Sequence, residues 1–181
     1  LLVEELLSLS PQHNETLMLK AFNLSKAGNL EEAKQIYLDI LTLTPSNTGA
    51  RERVSSLYQQ QGDTKNALYH LDLLIKDDFD NADYLLRKAA LQLEAGQRAD
   101  AEKTLSIVRN FINDDAGKLI AYADQARSVD NDENALDAMA RAYEIANTST
   151  FVTLRYVSLL LDMQNNDKAQ SLLTTIPANQ Q

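Results

Sequence analysis

Cysteine is absent from this 181-residue chain. Disulfides, thiolate nucleophiles and thiolate metal sites are excluded with it. Tryptophan is absent as well, and the chain holds only 3 prolines and 5 glycines. Few breakers remain for the many turns of a sheet protein, so the composition favours helix. Positive charge is the scarcer sign, with 17 Lys and Arg against 26 Asp and Glu, a net charge of −9. A phosphate backbone would be repelled over most of such a surface, which argues against nucleic acid as a partner. No apolar run approaches the roughly 18 residues of a membrane-spanning helix, so no direct membrane insertion is expected of this segment. The opening "LLVEELLSLSP" is interrupted by Glu4 and Glu5 and preceded by no basic residue, unlike a secretory signal.

What is present recurs. "AGNLEEA" ends at Ala33, "QGDTKNA" at Ala67 and "AGQRADA" at Ala101, with weaker copies "VDNDENA" and "MQNNDKA" ending at Ala135 and Ala169. Each alanine follows the last by the same step. Gly28, Gly62 and Gly96 keep that step, and Asp130 and Gln164 then take the glycine position. Twelve residues before each alanine stand Ala21, Ser55, Ala89, Ala123 and Val157, and four after it Tyr37, Leu71, Leu105, Met139 and Leu173. A fixed period in the range of about 20–50 residues marks a repeat architecture. Each repeat reads as helix, turn, helix. "NETLMLKAFNLSKA" and "NLEEAKQIYLDILTL" carry apolar residues at helical spacing, Gly28 caps the first, and Pro45 stops the second. The small columns predict close helix contacts, with Ala21 near Ala33 and Tyr37 filling the space beyond. Gln disfavours the left-handed conformation, so the turn at Gln164 is expected to be looser.

The step of about 34 residues, the small residue at repeat position 8, "GN" or "GD" at 15 and 16, Ala at 20, a large residue at 24 and Pro at 32 resemble the tetratricopeptide repeat. The resemblance implies an all-α, right-handed superhelical solenoid of antiparallel helix pairs. Its five repeats would span residues 14–47, 48–81, 82–115, 116–149 and 150–181. Pro11 stands one full step before Pro45. Residues 1–13 are therefore expected to be the second helix of a truncated repeat, and the chain a segment of a longer array. Position 4, often aromatic in the family, is here Leu17, Arg51, Leu85, Leu119 and Thr153, and position 32 becomes Phe79 and Asn113 in the second and third repeats.

Candidate chemistry is thin. "DNDENALDAMAR", from Asp130, resembles the first half of a calcium loop, but Ala135 stands where Gly is needed and Arg141 where a bidentate Glu is needed. It reads better as a helix start with favourable acids. "KDDFDNAD", from Lys76, reads as a solvated loop. The two histidines, His13 and His70, have no metal or triad spacing and are expected in ordinary surface roles. Sequons at Asn14, Asn23 and Asn147 are of a kind common by chance. Nucleophile-elbow, phosphate-loop and dinucleotide motifs are missing. The expectation is a non-catalytic protein without metal or cofactor.

In the tetratricopeptide family, ligands lie against positions 2, 5, 9, 12 and 13 of the first helices. By that resemblance the partner-binding concave face comprises Glu15, Met18 and Phe22, then Glu52 and Ser56, then Asp83, Leu86 and Ala90, then Ile120, Asp124 and Arg127, and finally Leu154. The implied partner is a protein or peptide segment with basic and apolar residues. The clamp of Lys and Asn with which cochaperones of this family hold acidic tails cannot be assembled, because its first positions are Met18 and Phe22 here. Asn- and Gln-rich loops are similar to those of bacterial envelope proteins acting in exopolysaccharide export or lipoprotein-anchored assembly. Two other expectations stand beside the scaffold. One is a spacer or rod self-associating through apolar ends around Leu6, Leu9, Leu172, Leu173 and Ile176. The other is a recruitment module for a catalytic domain elsewhere in a longer chain.

Overall fold

A computed structural model of the chain describes residues 13–176. Among the described residues are ten helices and no strand. First helices are α1 (Asn14–Lys26), α3 (Thr48–Gln60), α5 (Ala82–Glu94), α7 (Ala116–Ser128) and α9 (Thr150–Asp162). Second helices are α2 (Leu30–Leu43), α4 (Thr64–Asp77), α6 (Arg98–Phe111), α8 (Asp132–Ile145) and α10 (Asn166–Leu173). The chain divides between Phe79 and Asp80 into two compact lobes, the first holding α1–α4 and the second α5–α10. In each lobe the two helices of a repeat pack on one another. The helix expected within residues 1–13, with Leu6, Leu9 and Pro11, falls outside the described residues apart from His13, which caps the start of α1.

The sequence columns are contact layers. Ala33, Ala67, Ala101, Ala135 and Ala169 are all completely buried, and Ala21, Ser55, Ala89, Ala123 and Val157 nearly so. In the first four repeats a methyl or hydroxymethyl group at both places lets paired helices approach closely, and Ser55 Oγ donates across the gap to the Ala67 carbonyl at 2.9 Å. Tyr37, Leu71, Leu105 and Met139 fill the core beyond the contact. In α10 the burial passes to Leu172, leaving Leu173 half-buried.

A further layer joins residues twelve apart within a repeat. The Tyr58 ring stacks on His70 with centroids 5.7 Å apart, and Thr104 Oγ1 donates to Gln92 Oε1 at 2.7 Å. His70 is therefore buried, only 8% exposed, rather than in the surface role expected for it. Its position on the second helix faces the first, and the edge of Tyr69 closes the other side at 5.2 Å.

Burial pushes the His70 imidazolium below the ordinary histidine range, and Arg51 adds to the shift. The unfolded chain then binds a proton that the folded lobe refuses. Stability is full above the ordinary histidine value near pH 6.5 and is lost as pH falls below it. Melting temperature should fall between pH 7 and pH 5 by more in the wild type than in His70→Phe, about 2–4 °C for each kcal/mol lost. His13 is present in both proteins and cancels. Parallel pH profiles for the two proteins would refute the assignment.

The turns between paired helices share one geometry. Gly28, Gly62 and Gly96 adopt φ of 86°, 74° and 72°, and a Cβ added at any of them would meet nothing within 4 Å. Backbone conformation, not space, selects glycine here. Asp130 and Gln164 adopt the same left-handed conformation at φ 57° and 59°. The turn at Gln164 is not looser. Its hydrogen bonds, Gln164 N to Leu161 O at 3.0 Å and Asn165 N to Leu160 O at 2.8 Å, repeat those from Gly28 to Ser25 and Asn29 to Leu24. Packing of α9 on α10 holds a residue that locally disfavours the shape, at a cost of about 1–2 kcal/mol. Gln164→Gly should accordingly raise stability by about 1 kcal/mol in urea denaturation, the gain reduced by glycine's greater unfolded entropy. An unchanged midpoint would mean the strain is relieved elsewhere.

Candidate functional site

In the first lobe, α1 presents Glu15, Met18 and Phe22 at spacings of three and four residues, which places them on one helix face. Glu15 and Phe22 are exposed; Met18 is half-buried, its Cε 3.4 Å from where a Cβ on Gly49 would stand. On α3, Glu52 and Ser56 are half-buried, and Ser56 Oγ donates to the Glu52 carbonyl at 3.0 Å. The Lys26 ammonium and the Arg53 guanidinium each lie 5.6 Å from the Phe22 ring centroid. The exposed aromatic ring is thus flanked by cations, held by the negative face of the ring.

In the second lobe the face is laced by ion pairs between first helices of consecutive repeats. Lys118 on α7 meets Asp83 on α5 at 2.8 Å, and this hydrogen bond raises the lysine above its usual range. Arg127 on α7 meets Asp162 on α9 at 2.9 Å, and Asp124 on α7 meets Arg155 on α9. These pairs are exposed and individually worth little to stability, but they neutralise the acids that the sequence placed on this face. The expected pull on a basic partner loses Asp83 and Asp124 as free charges. Leu86 is 6% exposed and packs into the core, so it offers no surface to a partner. Ala90 and Ile120 are half-buried.

Leu154 behaves differently. It is 47% exposed, with Phe151 at 64% and Leu161 at 49% on the same face of α9. Residues 151, 154, 158 and 161 follow spacings of three, four and three, so the three apolar side chains and Ser158 form one stripe. Phe151 was not among the residues singled out from the sequence. It occupies position 2 of the fifth repeat, and the family pattern already marks that position. Beside the stripe, Asp124 and Arg127 of α7, Met139 of α8 and Arg155 and Ser158 of α9 line a cleft of about 80 Å³.

The acidic stretch from Asp130 is a turn and a helix start. Asp130 pairs with Arg98, and the Asn131 side chain accepts from Asn134 N at 3.3 Å. In the same way Asn81, in the loop from Lys76, caps α5 by accepting from Asp83 N at 3.0 Å. Among the described residues no three His, Cys, Asp or Glu side chains gather as a metal ion would require. Nor is any described helix long and apolar enough to cross a membrane.

No family model matches the chain. Over 70 residues it is 36% identical to the TPR repeat-containing thioredoxin TTL4 of Arabidopsis thaliana, a match covering 39% of this chain and about a tenth (10%) of that protein. Several solved structures share the fold over most of its length. MamA from Desulfovibrio magneticus RS-1 (residues 41 to the end) superposes with a TM-score of 0.72 at 15% identity, covering 90% of this chain and 92% of its own. YrrB superposes at 0.68 and 16% identity, covering 95% and 89%. TTC0263 from Thermus thermophilus superposes at 0.65 and 24% identity, covering 88% of each chain. With helix pairs repeating at one fixed step, the fold is that of the tetratricopeptide-repeat solenoid.

Proposed function

We propose that this chain is a non-catalytic protein-interaction scaffold that docks a protein or peptide segment on the faces of its first helices. The observation that carries the reading is the stripe of Phe151, Leu154 and Leu161 on α9, three large apolar side chains from 47% to 64% exposed on one helix face. A contiguous exposed apolar surface of this kind marks an interaction site more often than isolated exposed residues do. The ion pairs along the second lobe leave apolar contact to provide most of the affinity there. In the first lobe Phe22, between Lys26 and Arg53, is the corresponding exposed aromatic anchor. YrrB, described as a TPR protein with an unusual peptide-binding site, supports a peptide as the class of occupant. A bacterial envelope or export assembly is the setting we propose, on the strength of the Asn- and Gln-rich loops, and cell fractionation tests it.

If the stripe is the docking surface, Phe151→Ser with Leu154→Ser should weaken capture of a partner by about thirtyfold, as expected for loss of a central anchor worth about 2 kcal/mol. Helical circular dichroism should stay unchanged, because both side chains are exposed. Undiminished capture would remove the site from α9. A wild-type mass that rises with concentration, and falls back in the double variant, would make the stripe a self-association surface instead.

A further inference from the structure

The second lobe has another cleft, on a different face of α7 from the ion-paired one. It holds about 250 Å³ between α6, α7 and the start of α8. Leu105, Tyr122, Ala126 and Val129 form its apolar floor, all of them buried. Glu102 and Arg109 stand at its two ends on α6, seven residues and so about 10 Å apart along the helix.

Two donors in this cleft have nothing to donate to. In the second lobe Arg98, Arg127, Arg141 and Arg155 each pair with an aspartate, and Arg87 has an interaction of its own. Among the described residues Arg109 has no hydrogen-bond or ion-pair partner, although the chain carries an excess of nine negative charges. Tyr122 is 3% exposed, and its hydroxyl likewise has no hydrogen-bond partner among the described residues. Burial raises the phenol above its usual range, while Arg109 is close enough to pull it down and Asp137 to push it up. Asp137 forms no ion pair with Arg109 among the described residues. The orphaned buried side-chain atoms among the described residues belong to His70, Gln125 and Tyr156, so the Tyr122 hydroxyl reaches the solvent of the cleft and is free to donate to an acceptor entering there.

We infer that this cleft binds an acidic side chain of a partner peptide, with Arg109 and the Tyr122 hydroxyl donating to its carboxylate. The apolar floor takes an aliphatic residue next to the acid. Glu102 repels a second carboxylate at the far end, so the segment carries one acid and not a run of them. The rim favours a peptide over a free acid. Asn110 Nδ2 donates to the Ser106 carbonyl at 3.4 Å and Asn131 Oδ1 accepts from Asn134 N at 3.3 Å, which leaves the Asn110 carbonyl and the Asn131 amide for backbone groups of an extended segment. The site is separate from the α9 stripe and does not depend on it.

Acetyl-Leu-Glu-Leu-amide is the probe, titrated at millimolar concentration against the whole chain and followed by amide chemical shifts. Saturable shifts are expected in α6, α7 and the start of α8. Acetyl-Leu-Gln-Leu-amide, and the Glu peptide on Arg109→Gln, should each bind at least about tenfold more weakly, the loss expected for a hydrogen bond to a charged group. Tyr122→Phe, which keeps the ring, should weaken binding several-fold, and Arg109→Lys should recover part of the affinity that Arg109→Gln loses. Unchanged circular dichroism will show that the variants fold. Equal binding of the Gln and Glu peptides, or the absence of saturable shifts in the cleft, would overturn the proposal. So would free 4-methylpentanoate binding as tightly as the peptide, since the ligand would then be a small acid. Shifts confined to α9 would support the docking stripe and count against this cleft.

Discussion

Ala101→Leu should lower the unfolding free energy by about 1–3 kcal/mol or more. Ala101 is completely buried on α6, in the layer where α5 and α6 approach with Ala89 nearly opposite, twelve residues earlier. Three added carbons have no space there and must push the helices apart or force strained rotamers. Ala99, two residues earlier on the same helix, is exposed, and Ala99→Leu is the matched control with an effect within about 0.5 kcal/mol. Urea denaturation of the two variants makes the comparison. Indistinguishable midpoints would show that the alanine layer is not a close contact.

The second large effect is a deletion. Leu71→Ala should cost about 2–5 kcal/mol, because Leu71 is completely buried in the first lobe and its removal leaves a cavity that rigid helix pairs fill poorly. Leu154→Ala removes the same atoms from a side chain that is 47% exposed and should cost well under half as much. Amide exchange gives the local reading. In Leu71→Ala, protection should fall in α3 and α4, the helices that pack around the missing side chain. Equal costs for the two leucines would contradict the burial pattern.

Much of the fold is legible because its determinants are local and repeated. A left-handed turn asks for glycine and a close helix contact asks for alanine. Each requirement recurs once per repeat, so the columns at Gly28 and Ala33 reinforce one another down the chain. Gln164 departs from expectation because its local preference opposes the turn. The packing of α9 against α10 outweighs a cost of about 1–2 kcal/mol, and propensity gives way to tertiary structure. His70 departs because a lone histidine on a second helix, with no metal or triad spacing, reads as a surface residue, whereas its burial follows from Tyr58 twelve residues away.

The site is less legible. Helix periodicity puts Phe22 and Leu154 on one face of their helices, and the family pattern marks Phe151 as well. It cannot tell Leu86, which is buried, from Leu154, which is exposed, because both occupy position 5 and differ only in what packs over them. By itself the sequence determined the helix pairs, their period, their small-residue contacts and the absence of thiol chemistry, all of which follow from residue type and spacing. Tertiary structure alone decided which carboxylates are neutralised, as Asp83 is by Lys118 and Asp124 by Arg155. It alone left Arg109 and the Tyr122 hydroxyl without partners among the described residues, in a cleft with an apolar floor. The physical reason is that charge pairing and exposure belong to distances between residues roughly a repeat apart, and those distances exist only once neighbouring helix pairs have packed.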